Sequence, residues 1–260
     1  MDHESDYSMN QQSDMLEQLI DVFHRLYARG MVTATDGNVS VRLSNGNILT
    51  TRSGVNKGMV GANDFVEVTL DGSQVRGEGK PSTEVGMHLY IYQQRQDAGA
   101  VVHAHPTYAT GFATARIGLD SCLYPEVIVG LGAIPLAGYA TPSTPEIAES
   151  HAPFVKNSEA ILLANHGVVT YGQNLYDAYF KMEKVEHAAN ITFVARLLGG
   201  ARSLTEEELA KLRNVSVQSY GKDFSNKIAC EISDSLSAEL SETELRQYIF
   251  RKLEEHGIHT

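Results

Sequence analysis

The sequence predicts an α/β fold in which a mixed, largely antiparallel sheet is flanked by helices. In the first third of the chain, short β-branched runs are separated by Asn45-Gly46 and Asp71-Gly72, turns that return a strand on its neighbour. Outside that region, apolar residues recur with the 3.6-residue period of a helix, as in Leu16, Leu19, Ile20, Phe23 and Leu26 and again across 175–198. Between them lie apolar runs of strand length at 100–104, 160–164 and 168–171. Hairpins rather than regular strand-helix-strand alternation argue against a doubly wound parallel sheet.

Residues 1–12 are polar and acidic and read as a disordered tail. Ser13 can cap the first helix, and Gly30 ends it. Thr35-Asp36-Gly37-Asn38 is a tight polar turn feeding a strand with Val39, Val41 and Leu43 on one side. The return strand Ile48–Thr51 runs into a second glycine turn, Arg52-Ser53-Gly54. Phe65–Leu70 and Val75–Glu78 form another hairpin before Gly79-Lys80-Pro81. Ser82-Thr83-Glu84 starts a helix with Val85, Leu89 and Tyr92 on one face, ending near Asp97 and Gly99. Further on, Tyr124–Pro135 reads as carrying an apolar strand, and Thr144-Pro145 opens a helix over 145–156. Gly199-Gly200 stops the long helix that starts at Leu175. Thr205–Glu208 resembles a capping box for a helix to about Arg213, and Ser241–Glu244 repeats that signal before a final helix to about Glu255.

With 260 residues and 42% hydrophobic content, the chain can bury one large core with an appendage. The net charge of -11 argues against an electrostatic grip on nucleic acid, which needs a basic face. No apolar run is long enough for a membrane span, and the N-terminus is not signal-like. Cys122 and Cys230 lack paired-thiol spacing, so neither a disulfide framework nor a thiolate metal site is expected, and a cytoplasmic location fits.

The chemistry concentrates around His103-Ala104-His105. Side chains at i and i+2 of a strand leave the same face, so both imidazoles can reach one ion. Asn165-His166-Gly167 offers a third imidazole at the mouth of another buried strand, and Glu84 supplies a carboxylate just upstream. Nitrogen donors with one carboxylate suit zinc better than magnesium or calcium. His88, four residues after Glu84 and on the same helix face, is a possible supporting partner. His3, His256 and His259 lie in terminal segments, and His24, His151 and His187 sit on predicted helices with no such pattern. The turns at Gly37, at Gly54 and at Ser82-Thr83 expose backbone N–H groups and hydroxyls that favour an anion.

Taken in order, Gly37-Asn38-Val39-Ser40-Val41-Arg42, Ser53-Gly54, Pro81-Ser82-Thr83-Glu84, His103-Ala104-His105, Ile134-Pro135, Tyr139-Ala140-Thr141 and Asn165-His166-Gly167 resemble the class II aldolase/adducin family, in the pattern of its L-fuculose-1-phosphate aldolase type. The resemblance runs from about residue 14 to 221. It implies a class II aldolase-like sandwich, with a zinc domain over 13–221 and a helical extension over 222–260. It implies one zinc per subunit held by His103, His105 and His166, with Glu84 as acid/base and, without substrate, a fourth ligand. Gly37, Asn38, Ser53, Gly54, Ser82 and Thr83 would cradle a substrate phosphate. Tyr124 and Tyr220 would be catalytic tyrosines, Tyr124 reaching the active site of a neighbouring subunit, which implies a homotetramer with sites at subunit interfaces.

The implied activity is retro-aldol cleavage of a ketose 1-phosphate to dihydroxyacetone phosphate and an aldehyde. Methylthioribulose-1-phosphate dehydratase or aldolase, sugar-acid phosphate decarboxylase and ribulose-5-phosphate 4-epimerase share this type of site, although the epimerase carries aspartate where Glu84 stands. An adducin-like assembly domain is the non-enzymatic alternative, and it lacks the full histidine set found here. Thr83 and Ser53 depart from the aldolase pattern but keep a hydroxyl. Ser143 stands where the family often has glycine, and the chain extends about forty residues past Tyr220.

Overall fold

These runs condense, in a computed structural model describing residues 2–220, 227, 229 and 230, around one eight-stranded sheet of order β4-β3-β2-β1-β5-β8-β7-β6. The strands are β1 (Asn38–Arg42), β2 (Ile48–Thr51), β3 (Phe65–Val68), β4 (Gln74–Arg76), β5 (Ala100–Ala104), β6 (Leu136–Ala137), β7 (Ala160–Leu163) and β8 (Gly167–Gly172). Every neighbouring pair is antiparallel except β6 with β7, so the expected mixed, largely antiparallel sheet is the one that forms.

Alternation along the strands divides the core in two. Val39 and Val41 of β1, with Ala100, Val102 and Ala104 of β5, face one way. There they meet Leu19 and Phe23 of α1 (Asp2–Ala28) and Tyr179 and Met182 of α6 (Leu175–Leu197). Val101, Ile161 and Val169 face the other way, against Met87 and Ile91 of α2 (Val85–Gln94) and Ile147 of α5 (Glu146–Val155). Burying each such side chain contributes roughly 1.5–3 kcal/mol, so the sheet is clamped from both sides and its strand ends are held in register.

Four strand ends meet at one edge of this sheet. Antiparallel pairing sets the start of β1 beside the end of β5, with Asn38 opposite His103, and the end of β5 beside the start of β8, with Ala104 opposite Val168. The end of β2 reaches the same edge. Two of the predicted glycine turns and all three candidate ligand histidines are thereby brought to one place.

Several expectations are corrected. Helix α1 starts at Asp2, so residues 2–12, expected to be a disordered tail, continue its backbone. That stretch holds neither Gly nor Pro, so nothing in it interrupts a helical backbone. At its other end Met31 N–H bonds Leu26 O at 2.9 Å around left-handed Gly30, a Schellman closure. The segment read as a strand over 124–135 instead forms α4 (Pro125–Gly130). Pro125 presets a helical φ at the first position, and Val127 and Ile128 are buried from within one turn. A further helix, α3 (Thr107–Thr114), begins after Pro106, and Glu186 of α6 accepts its free Tyr108 and Ala109 N–H groups at 3.0 and 2.9 Å.

The capping box at Thr205 and Glu208 forms and opens α7 (Glu206–Tyr220), which runs past Arg213. Cys122 and Cys230 form a disulfide with Cα atoms 5.1 Å apart, against the expectation of unpaired thiols. Their separation of 108 positions shows why: linear spacing does not reveal which distant cysteines meet. Reduced thiols therefore no longer argue for a reducing compartment. Among the described residues no helix is long and apolar enough to cross a membrane. The predicted helix over 241–255 lies outside the described residues.

Candidate active site and metal centre

At the shared sheet edge, His103, the penultimate residue of β5, and His105, just past its end, turn their rings toward each other, with the two Nε2 atoms 3.1 Å apart. The chain is fixed beyond the strand because His105 N–H bonds Met31 O at 2.8 Å. His166 arrives from the β7–β8 turn, where Asn165 adopts φ 56°, the left-handed region that asparagine tolerates. The candidate ligand nitrogens of the three histidines all lie within 4.8 Å of one another. Gly167 makes this convergence possible, since a Cβ there would lie 2.5 Å from His105 Cδ2 and 2.6 Å from Ala104 O.

Glu84 forms the N-cap of α2, its N–H bonded to Ser82 Oγ at 3.3 Å. Its carboxylate reaches His166 Nε2 at 3.0 Å and His103 Nε2 at 3.4 Å, and it accepts a bond from Asn38 Nδ2 at 3.0 Å. One turn along α2, His88 Nδ1 pairs with Ser40 Oγ at 2.7 Å. Residues i and i+4 of the helix thus meet i and i+2 of β1 in two rungs. His88 does not bond Glu84 itself, so its expected support becomes a contact of the helix with the sheet.

The donor chemistry fits a cation. His103 Nδ1 donates to Val168 O at 2.9 Å, because a carbonyl can only accept. The ring is fully buried, and burial, outweighing the pull of Glu84, pushes its pKa well below the ordinary value. A neutral imidazole protonated at Nδ1 presents a bare Nε2, aimed here at the cluster. Burial likewise lowers His105. For Glu84, burial pushes upward, but the facing His103 and His166 win and hold the carboxyl well below the usual carboxylate range. An ionised carboxylate and converging imidazole lone pairs are what a divalent ion of the zinc type requires.

Beside the cluster opens a cavity of about 440 Å³ lined by Gly37, Asn38, Ser53, Gly54, Ser82 and Thr83, together with Glu84, His105 and His166. All six residues predicted for an anion are therefore in one wall. The three turns are tied through the backbone: Lys57 N–H to Ala34 O at 2.8 Å, Ser53 N–H to Lys80 O at 2.8 Å and Ser82 N–H to Thr51 O at 3.1 Å. The same cavity is lined by Asp36, Arg52, Lys57 and Ser143, which pattern reading did not select. Ser143 holds φ 65°, a conformation easiest for glycine, and its hydroxyl donates to Thr83 Oγ1 at 2.8 Å. The lone basic residue two positions after Val55 was the signal available for Lys57.

Tyr124 is elsewhere. It caps α4, its ring centroid is 6.2 Å from that of His187, and it lines a separate small pocket with Leu119, Val127 and Arg196. Tyr220 is the last residue of α7.

Fold and site together set a histidine cluster able to hold a metal ion against a carboxylate and a cavity walled by glycine turns and hydroxyls. The chain belongs to the class II aldolase/adducin family, since residues 17–193 match the Class II Aldolase and Adducin N-terminal domain. It is 36% identical over 217 residues to the 3-oxo-tetronate 4-phosphate decarboxylase of Escherichia coli O6:H1, covering 81% of this chain and 100% of that protein. It is 34% identical over 184 residues to the L-fuculose phosphate aldolase of Methanococcus maripaludis strain C5, covering 71% of this chain and 98% of that one. A solved L-fuculose 1-phosphate aldolase superposes with a TM-score of 0.71 at 36% identity, covering 77% of this chain and 94% of that chain.

Proposed function

We propose that this protein is a zinc-dependent lyase that cleaves a ketose 1-phosphate between the hydroxyl-bearing carbon beside the carbonyl and the next carbon, releasing dihydroxyacetone phosphate and an aldehyde. The observation carrying this reading is the position of Glu84, whose carboxylate touches His103 and His166 and also lines the cavity formed by the three anion-favouring turns. When bound by His103, His105 and His166, zinc supplies a Lewis acid that stabilises negative charge on the substrate's carbonyl and neighbouring hydroxyl oxygens.

The chain's own residues do the rest. Gly37, Asn38, Ser53, Gly54, Ser82 and Thr83 hold the phosphate and fix the sugar's carbonyl end. As the bond breaks, its electron pair moves onto the carbon beside the carbonyl, and the proton of the departing hydroxyl passes through the hydroxyl of Tyr124 of a neighbouring subunit, with Tyr220 near the same site, to the ionised Glu84 carboxylate. Glu84, now protonated, delivers that proton to the carbon. Asn38 holds the Glu84 carboxylate in place through its side-chain amide. This division requires sites at subunit interfaces, hence a homo-oligomer, which we propose is a tetramer.

The identity to the Escherichia coli decarboxylase favours one second reading, loss of carbon dioxide from a 3-oxo sugar-acid phosphate. That cleavage leaves the same enediolate and the same product, but carbon dioxide departs without a proton, so Tyr124 has none to pass on and Glu84 takes from water the proton it gives to carbon. The test is to incubate zinc-loaded protein with fuculose 1-phosphate, ribulose 1-phosphate, methylthioribulose 1-phosphate and 3-oxo-tetronate 4-phosphate, following dihydroxyacetone phosphate with a coupled assay. Release with an aldehyde as co-product supports the aldolase, and release with carbon dioxide supports the decarboxylase. No release from any substrate by fully metallated protein refutes both.

A further inference from the structure

Lys57 is buried, with 2% of its surface exposed, yet it lines the cavity beside the histidine cluster. Its ammonium donates to Val55 O at 3.2 Å and lies 5.8 Å from the Phe23 ring centroid. Among the described residues no carboxylate lies within ion-pair distance of it. The other cation in the wall, Arg52, is already committed, with Nη2 2.7 Å and Nε 3.0 Å from Asp64 Oδ1. An ammonium has three N–H donors, and burying a cation without a counter-charge is costly unless something compensates it.

The local fold holds this lysine in place. Asn56 caps the short turn by accepting Gly58 N–H at 3.0 Å, and Lys57 N–H bonds Ala34 O, tying the turn before Gly37 to the turn after Gly54. At Gly54 a Cβ would meet nothing within 4 Å, so the wall is open there. Burial pushes the Lys57 ammonium below its ordinary range despite the fields of Asp36, Asp64 and Glu84.

We propose that the Lys57 ammonium is the counter-charge that receives the phosphate group of the substrate in this cavity. The inference rests on the cavity being the anion site assumed in the proposed function. Lys57 is then a specificity residue. The hydroxyls and amides of the three turns set the position of the phosphate, and the lysine supplies the positive charge that favours a dianion over a neutral sugar end. Asp36 and Glu84 in the same cavity sharpen the need, because without Lys57 an arriving phosphate meets an acidic surround.

The test uses the full-length protein and inorganic phosphate as probe, with affinity measured by calorimetry before and after chelation of metal. The chelated protein isolates contacts made by the chain itself. Lys57→Met is expected to weaken phosphate binding about 10- to 100-fold, the size of a charge-assisted hydrogen bond. Zinc content should be unchanged, and KM for a phosphorylated substrate should rise more than kcat falls. Lys57→Arg should retain most of the affinity. Phosphate binding by Lys57→Met within twofold of wild type overturns the inference and leaves the anion site standing. Absence of phosphate binding by the wild type overturns the anion site and the inference with it. Should Lys57→Met fail to fold, the wild-type protein labelled with ¹³C at lysine Cε decides. Phosphate must shift the Lys57 signal, assigned by its loss in Lys57→Arg, and an unmoved signal at saturating phosphate refutes the role.

Discussion

Replacing Gly167 with alanine adds one methyl group where the histidine-bearing segments meet. The new Cβ would lie 2.5 Å from His105 Cδ2, 2.6 Å from the Ala104 carbonyl oxygen and 3.4 Å from His103 Cε1. Non-bonded carbons settle about 3.5–4.0 Å apart, so the first contact falls short by about 1 Å. The Ala104 carbonyl belongs to a strand hydrogen-bonded on both sides, so it has little freedom to move. The His105 ring must move, or β8 must separate from β5. Overpacking of this kind costs roughly 1–3 kcal/mol. A displaced ligand ring weakens the metal site by about 10- to 100-fold, the range seen when ligand orientation is lost. The assay is zinc affinity by competition with a chromophoric chelator, paired with thermal unfolding of the chelated protein. Gly111→Ala is the control, being in α3 with nothing within 4 Å of its Cβ. It should be neutral or stabilising by about 0.5–1 kcal/mol. If Gly167→Ala matches Gly111→Ala in both zinc affinity and melting temperature, the close approach of the three histidines is not as described.

Three further outcomes are expected. Glu84→Gln should keep the fold but lower kcat by about 10²- to 10⁴-fold if the carboxylate moves the proton, and full activity at unchanged zinc content would exclude that role. His88 is buried, and burial lowers its pKa to about 3, so below its unfolded value the denatured state binds a proton that the native state refuses. Stability of the metal-free protein should therefore fall as pH drops from 6.5 to 5. His88→Gln should remove about 2 kcal/mol of that loss in urea titrations, and an unchanged pH slope would contradict the burial. Mixing inactive Glu84→Gln and Tyr124→Phe subunits, after dissociation and reassembly, should restore about a quarter of wild-type activity if each site in a ring draws on two neighbours. A mixture no more active than its components would place Tyr124 outside the neighbouring site.

The parts of this site legible in the sequence are those set by short-range periodicity. His103 and His105 are two residues apart in a run of valine and alanine, and a strand sends such a pair to one side whatever surrounds it. Asn165 and Gly167 announce a turn at His166 because both tolerate backbone that other residues avoid. The hairpins were legible for the same reason, since Asn45-Gly46 fixes both the turn and the register of β1 against β2. What was not legible depends on distant partners. Tyr124–Pro135 is apolar enough for a strand, and only packing of Val127 and Ile128 within one turn makes α4. Cys122 meets Cys230 only because the chain near residue 230 comes back to the start of that helix. Lys57 reads as a surface residue, and its burial follows from α1 laying Phe23 over it.

Glu84 shows how the two kinds of information combine. Its place at the start of α2 is local, written in Ser82-Thr83-Glu84, and would be the same in any helix with that cap. Its charge state is not local. A carboxyl so placed is pushed toward neutrality by burial, and only three histidines from two other segments reverse the balance. Burial also disfavours the charged form of His103 and His105, His103 most, so the pocket that holds the Glu84 carboxylate resists protonated imidazoles beside it. Such an arrangement is poorly compensated by itself and becomes favourable when a divalent ion enters among the four groups. Metal loading should therefore stabilise the fold by mass action and do so less as pH falls and the histidines begin to bind protons.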